Sequence, residues 1–215
     1  MGKITALTRQ KRNPDRINVY LEGTFAFGLA AITAVSLRVG QTLTQDQIDH
    51  LKGSDLEEKA KEVALRFIEY RPRSTAETRQ HLLKKEYPED VVERVIERLA
   101  TVELLNDAAF ARYWVEQRQT FKPRSQLAIQ QELRQKGLDR QTIDAALETV
   151  DESAAAAKAA EAKARRWQNL PQEEFFKKVG SFLQRRGFSY EIVKEVTDSL
   201  WEEVNDRDEE ANNQF

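Results

Sequence analysis

The sequence predicts a mainly α protein: tandem three-helix repeats in three copies, stacked as an elongated array, behind a small N-terminal β-hairpin extension. Three observations predict it. A helical unit around residues 104–147 has partial copies upstream and downstream, with the marker leucines Leu82, Leu133 and Leu183 spaced 51 and then 50 residues apart. Such a fixed period is the signature of stacked modules. Charged residues reach 33% and hydrophobic ones 40%, with Gly and Pro scarce. That composition suits solvent-bathed helices carrying narrow apolar stripes. Residues 3–29 instead alternate at period two.

The N-terminal region spans 1–54. Ile4, Ala6 and Thr8 alternate with Thr5, Leu7 and Arg9, and a loop from Gln10 to Arg16 follows. Strands at 17–21 and 24–28 are joined by Glu22-Gly23, a two-residue hairpin turn. A sheet of two or three strands is marginal alone and must pack on something. Short helices are expected near 30–36 and 44–52, the second with a Thr44–Gln47 capping box.

The first repeat spans 55–105. Val63, Phe67 and Ile68 make the apolar face of its first helix, and Pro72 stops it. Ser74 with Glu77 is a capping box for the second helix, with Leu82 and Leu83 inward. Pro88 opens the third helix, where a first turn tolerates proline. The second repeat spans 106–150. Asn106 and Asp107 cap its first helix, whose apolar face holds Phe110, Ala111, Trp114 and Val115. Pro123 ends that helix. Ser125 caps the next, with Leu127 and either Ile129 or Gln130, then Leu133, inward. Gly137 closes it in a left-handed conformation. Asp139 caps the third helix, with Ile143, Ala146, Leu147 and Val150 inward. The third repeat spans 151–204. It opens with an Ala-rich helix of strong intrinsic propensity ending near Trp167. Pro171 starts the second helix, and Ser189 caps the last, which is expected to end near Val204. An acidic tail, 205–215, is expected to be frayed and solvated.

In register, Leu82, Tyr87, Val92, Val95, Ile96 and Leu99 match Leu133, Leu138, Ile143, Ala146, Leu147 and Val150. The third copy holds Leu183, Phe188, Val193, Val196, Thr197 and Leu200, with Thr197 the one polar exception. Glu86 stands where the other copies have Gly137 and Gly187, so the first repeat's second helix is expected to end differently. Trp114, Trp167 and Trp201 lie on apolar faces and are expected to pack in cores.

Most enzymatic chemistry finds no support. The chain has no Cys, so disulfides and Cys-based zinc sites are excluded. His50 and His81 belong to no ligand-spaced cluster, and His81 is expected to pair on the surface with Glu77 four residues earlier. Neither phosphate-cradling glycine motif occurs, and there is no Gly-flanked Ser nucleophile. No catalytic residue, metal ligand or cofactor is assigned, and a non-enzymatic protein is expected. With no membrane-length apolar run and no signal-peptide core, a cytoplasmic monomer is expected.

The chemistry that remains is cationic. Net charge is −2, so distribution matters more than total. Arg71 and Arg73 flank the proline turn of the first repeat. Arg118, Lys122 and Arg124 surround the equivalent turn of the second. Lys84 and Lys85, Arg134 and Lys136, and Arg185 and Arg186 recur at the end of each second helix, an arrangement suited to a stripe along the array. Cations at helix C-termini also complement the dipole, for about 0.3–1 kcal/mol each. That accounts for the recurring set better than for Arg71, Arg73 and Arg124. In the N-terminal region Arg9, Lys11, Arg12 and Arg16 are candidates for phosphate contact, or a charged loop blunting a sheet edge.

Arg71-Pro72-Arg73-Ser74 with Glu77, then Leu104-Leu105-Asn106-Asp107, Phe110-Ala111 and Trp114-Val115 through Arg118, resemble the signature region of RecX regulatory proteins. Glu132-Leu133 to Gly137-Leu138 fits too. The resemblance covers about residues 56–200. It implies three three-helix repeats and a bacterial cytoplasmic protein. Its implied partner is the RecA recombinase filament, lodged in the filament's groove on single-stranded DNA. The implied effect is to modulate, mainly inhibit, filament growth, ATPase and strand exchange. In that picture the cations above face RecA or DNA, single- or double-stranded. The N-terminal extension belongs to longer relatives only. The alternatives are a nucleic-acid-binding protein that competes for single strands, and a structural adaptor that binds neither.

Overall fold

The computed structural model describes the backbone of residues 1–212 and side chains as far as Val204. It divides into two compact units, Met1–Leu105 and a second beginning at Asn106. Among the described residues there are ten helices and four strands, the mainly helical class expected.

In the first unit, β1 (Gly2–Arg9), β2 (Arg16–Leu21), β3 (Thr24–Ala30) and β4 (Thr42–Leu43) form an antiparallel sheet of order β3-β2-β1-β4. The β2–β3 turn is Glu22-Gly23, with φ of 48° and 79°. Positive φ at both central residues is what a type I′ hairpin turn requires. The sheet has four strands rather than two or three. Thr42 and Leu43 pair with Lys3 and Gly2, and two residues are too few to show an alternation. Ile4, Val19, Phe27, Leu29 and Leu43 form the sheet's core face, capped by Ile48.

The first helix, α1, is a single turn, Ala31–Ala34. Next comes α2, Gln45–Tyr70, whose capping box at Thr44 and Gln47 is present as expected. This helix corrects the expected helix count before Pro72. The short helix near 44–52 and the first helix of repeat 1 are one continuous helix, so the 54/55 boundary falls inside it. Gly53 costs a helix interior only about 1 kcal/mol. Two turns on either side, buried in different cores, outweigh that: Ile48 belongs to the sheet's core and Ala60 and Ala64 to the first repeat's.

Each repeat has the predicted three helices. In the first they are α2, α3 (Thr75–Leu83) and α4 (Glu89–Thr101). In the second they are α5 (Asp107–Phe121), α6 (Gln126–Gln135) and α7 (Arg140–Leu147). In the third they are α8 (Glu152–Trp167), α9 (Gln172–Gln184) and α10 (Tyr190–Asn212). Caps sit where the sequence places them: the side chains of Ser74, Asn106, Ser125 and Asp139 each accept a backbone N–H in the first turn, and Asp151 does the same for α8. The α10 backbone continues to Asn212, past the expected end near Val204. The last part of the acidic tail lies outside the described residues.

Leu82, Leu133 and Leu183 are all fully buried. Each centres the core of its own repeat. Thr197 is buried too, and its hydroxyl donates to the Val193 carbonyl at 2.6 Å, which satisfies it within its own helix. In α8, Ala155, Ala156, Ala160 and Ala164 face the core, and small side chains let the helix lie close to Phe175 and its neighbours. Leu83 and Leu127 depart from expectation: both are exposed. In α6 it is Ile129, not Leu127, that shares the core with Leu133.

The second helices of the three repeats end alike. The N–H of Glu86, Gly137 and Gly187 donates to the carbonyl of Leu83, Arg134 and Gln184, each at 2.9 Å. The next N–H, of Tyr87, Leu138 and Phe188, reaches back to Leu82, Leu133 and Leu183. Glu86 takes φ 63°, beside 82° and 92° for the glycines. The expected difference at Glu86 is therefore absent. The shared bonds and the apolar residue that follows, Tyr87 packed against the core, impose the left-handed turn on a side chain that disfavours it.

Candidate partner-contact surface

The proline turn of the first repeat is built around Phe67. The Arg73 guanidinium carbon lies 3.9 Å from the Phe67 ring centroid and its Nε donates to the Phe67 carbonyl. The His81 ring stacks on Phe67 with centroids 4.0 Å apart and planes 1° from parallel. Two groups so close to one centroid must take opposite faces. His81 is thus not the surface partner of Glu77; Arg71 is, at 2.9 Å. Burial, and then the charges of Lys85, Arg73 and Lys84, hold the His81 pKa below its ordinary value. Burial and the neighbouring Arg71 likewise lower that of Arg73. Lys84 and Lys85 are exposed just beyond α3, as is Tyr70 beside Arg71.

The equivalent place in the second repeat is chemically different. The positions of Phe67, Arg73 and His81 are held by Arg118, Arg124 and Glu132. One Glu132 oxygen accepts from Arg118 Nε at 2.6 Å and from Trp114 Nε1 at 2.7 Å. The other faces Arg124 Nη1 at 3.1 Å. Arg118 and Lys136 both lie over the Trp114 ring, at 4.6 and 5.1 Å from its centroid. A charge-assisted cluster on an aromatic plate results. Lys122 and Arg134 are exposed, and Phe121 stands 71% exposed beside Lys122.

In the third repeat Arg185 is exposed, but Arg186 turns back on the protein. Its carbon lies 4.7 Å from the Phe182 ring centroid and its Nη1 donates to the Pro123 carbonyl at 2.9 Å. Burial, and then Arg124, lower its pKa. The recurring position Lys136/Arg186 therefore seats a cation over an aromatic ring of its own repeat, rather than extending an outward stripe.

In the N-terminal loop Arg9, Lys11 and Arg12 point outward. The turn is held by Gln10 N–H to the Arg16 carbonyl and Arg16 N–H to the Asn13 carbonyl, at 3.0 and 3.1 Å. Arg16 does not join them. Its side chain is 15% exposed and bonds Asp55 at 3.0 Å and the Gly28 carbonyl. Asp55, buried in α2, also accepts from the Ala30 N–H and Lys59. Burial pushes the Asp55 carboxyl up, but these donors outweigh it and hold it below the ordinary carboxylate range.

Sequence reasoning missed Phe67, Glu132 and Asp55 as the organisers of these clusters. Each also takes a partner 14 to 39 residues away. Only the shared register of His81 and Glu132, one residue before the marker leucine, could have signalled two of them. Among the described residues no group of three His, Cys, Asp or Glu could hold a metal ion, and no helix is long and apolar enough to cross a membrane.

Comparison with known proteins places these features in a family. The RecX N-terminal domain model matches residues 2–44, and the first, second and third RecX three-helix domain models match 60–99, 106–147 and 151–197. The Regulatory protein RecX of Bacillus subtilis (strain 168) is 34% identical over 98% of this chain and 81% of that protein. That of Clostridioides difficile (strain 630) is 27% identical over 93% and 96%. A crystal structure of regulatory protein RecX superposes with a TM-score of 0.75 at 29% identity, covering 92% of this chain and all of that one. One from Lactobacillus salivarius shares the fold, with a TM-score of 0.61 at 24% identity, over 68% and 97%. From sheet to last repeat, this chain belongs to the RecX family of regulatory proteins.

Proposed function

We propose that this chain is a non-enzymatic cytoplasmic regulator that binds the RecA filament on single-stranded DNA and restrains its growth, ATP turnover and strand exchange. End-to-end similarity to RecX regulatory proteins carries the reading. The outward cations Arg9, Lys11, Arg12, Lys84, Lys85, Lys122, Arg134 and Arg185 are its first contact candidates. Arg71, Arg73, Arg118, Arg124 and Lys136 present guanidinium or ammonium faces already oriented by aromatic rings and carboxylates. Preordered side chains lose less entropy on binding.

The deciding measurement is ATP turnover by the cognate RecA on single-stranded DNA, with this protein added below one copy per RecA at two salt concentrations. Inhibition that persists at the higher salt is the expected result. No effect at equimolar protein overturns the reading. A second reading, competition for single strands, draws on Arg9, Lys11 and Arg12 in one loop. Three phosphate contacts give a log–log salt slope of only about −2. Inhibition confined to DNA-saturating amounts and lost with salt belongs to that reading.

A further inference from the structure

Within the second unit the two repeats have separate cores. Phe110, Ile129, Leu133 and Ile143 belong to one, and Phe175, Val179, Leu183 and Val193 to the other, with no residue in common. Among the described residues no helix of repeat 2 packs along a helix of repeat 3.

What joins them is polar. The start of α6 is gripped from two sides by the third repeat and the linker before it. Ser125 N–H donates to the Arg186 carbonyl at 3.2 Å, and Arg186 Nη1 donates to the Pro123 carbonyl at 2.9 Å. Gln126 N–H donates to Glu152 Oε1 at 3.0 Å, and Gln126 Nε2 to the Val150 carbonyl at 2.8 Å. Gly187 has no room for a side chain: a Cβ would lie 2.6 Å from Ser125 Oγ and 3.1 Å from Ala128 Cβ. At the corresponding place in the first repeat Glu86 is accommodated, so Gly187 answers a close approach as well as a positive φ.

The seam is open on both sides. One cleft, of about 420 Å³, runs between Val115, Gln119 and Ala146 of repeat 2 and Ala154, Ala155 and Lys158 of repeat 3. Gln119 Nε2 is buried with no protein partner. The other cleft is bounded by Gln126, Leu127, Glu152 and Gly187.

We propose that repeats 2 and 3 are two rigid bodies hinged at residues 149–151, and that Arg186, with the Glu152 carboxylate on the Gln126 N–H, is the latch that sets their angle. Apolar cores are packed like crystals and resist rearrangement. A seam of three hydrogen bonds between them is the weakest part of the unit. Hinges take up motion in a few linker residues between packed bodies. The latch also turns Arg186 from a contact cation into a positioning residue, one that fixes the Arg118–Arg124 cluster relative to Arg185.

The test needs no partner protein. The chain has no cysteine, so Gln131→Cys and Lys194→Cys, both at exposed positions, accept spin labels at defined places in the two repeats. Distances between them are measured by pulsed electron resonance. The parent chain is expected to give one narrow distribution. Arg186→Met keeps the stem on Phe182 but removes the donors, and Glu152→Ala removes the acceptor of the Gln126 N–H. Each is expected to broaden the distribution and shift its mean, with unchanged helical signal, and the pair to do so further. Variants as narrow as the parent overturn the latch, as does a parent already as broad as the double variant.

Discussion

Asp55 meets Arg16 at 3.0 Å across 39 residues of sequence, and this pair fastens the N-terminal sheet to the long helix α2. The same carboxylate takes the Ala30 N–H at the end of β3. Removing one partner of a buried, hydrogen-bonded pair strands the other, at a cost of about 3–5 kcal/mol. Asp55→Ala is therefore expected to destabilise the first unit by that order in denaturant titration. Because the folded pKa is depressed, the stability from this carboxylate is present above the unfolded value near 3.9 and is lost as pH falls through the folded one. A parent and variant of equal stability at pH 7 would show that the pair does not hold sheet to helix.

Glu86 holds a left-handed turn that its counterparts leave to glycine. A non-glycine residue there carries a strain of about 1–2 kcal/mol. Glu86→Gly relieves it but loosens the unfolded chain, which returns up to about 1 kcal/mol. A small net gain in stability, up to about 1 kcal/mol, is expected, read as a raised thermal midpoint. A loss larger than that would mean that the Glu86 side chain makes a contact of its own.

His81 stacks on Phe67, with Arg73 on the ring's other face. Its folded pKa lies below the unfolded value of about 6.5, because burial and then Lys85, Arg73 and Lys84 disfavour the imidazolium. Its contribution is present above the unfolded pKa and is lost as pH falls through the folded one. Thermal midpoints between pH 8 and 5 are expected to fall more steeply in the parent than in His81→Phe. Parallel curves would place the acid sensitivity elsewhere.

Replacing Arg71, Arg73, Arg118 and Arg124 together with Ala is expected to weaken inhibition of RecA ATP turnover while helical signal is kept. Stability is expected to drop, since Glu132 loses two charged donors worth about 1.5–3 kcal/mol each. Glu132→Gln separates the two roles, because it leaves the cations in place but relaxes their positions. Full inhibition by the quadruple variant would confine partner contact to the outward lysines and arginines.

What the chain determined locally, it determined well. The caps at Ser74, Asn106, Ser125 and Asp139 and the Glu22-Gly23 turn depend on residues within about one helical turn of each other, and the leucine period is written directly in the chain. That is why fold class and family were legible. Tertiary structure alone decided the rest. It carried α2 through Gly53 because two cores hold that helix. It buried Ile129 and exposed Leu127, a choice the α6 pattern leaves open. It took Arg16, His81 and Arg186 from the surface to partners 39, 14 and 63 residues away. A long charged or aromatic side chain is held by whichever acceptor or ring the topology brings within about 4 Å, and no local spacing encodes that distance.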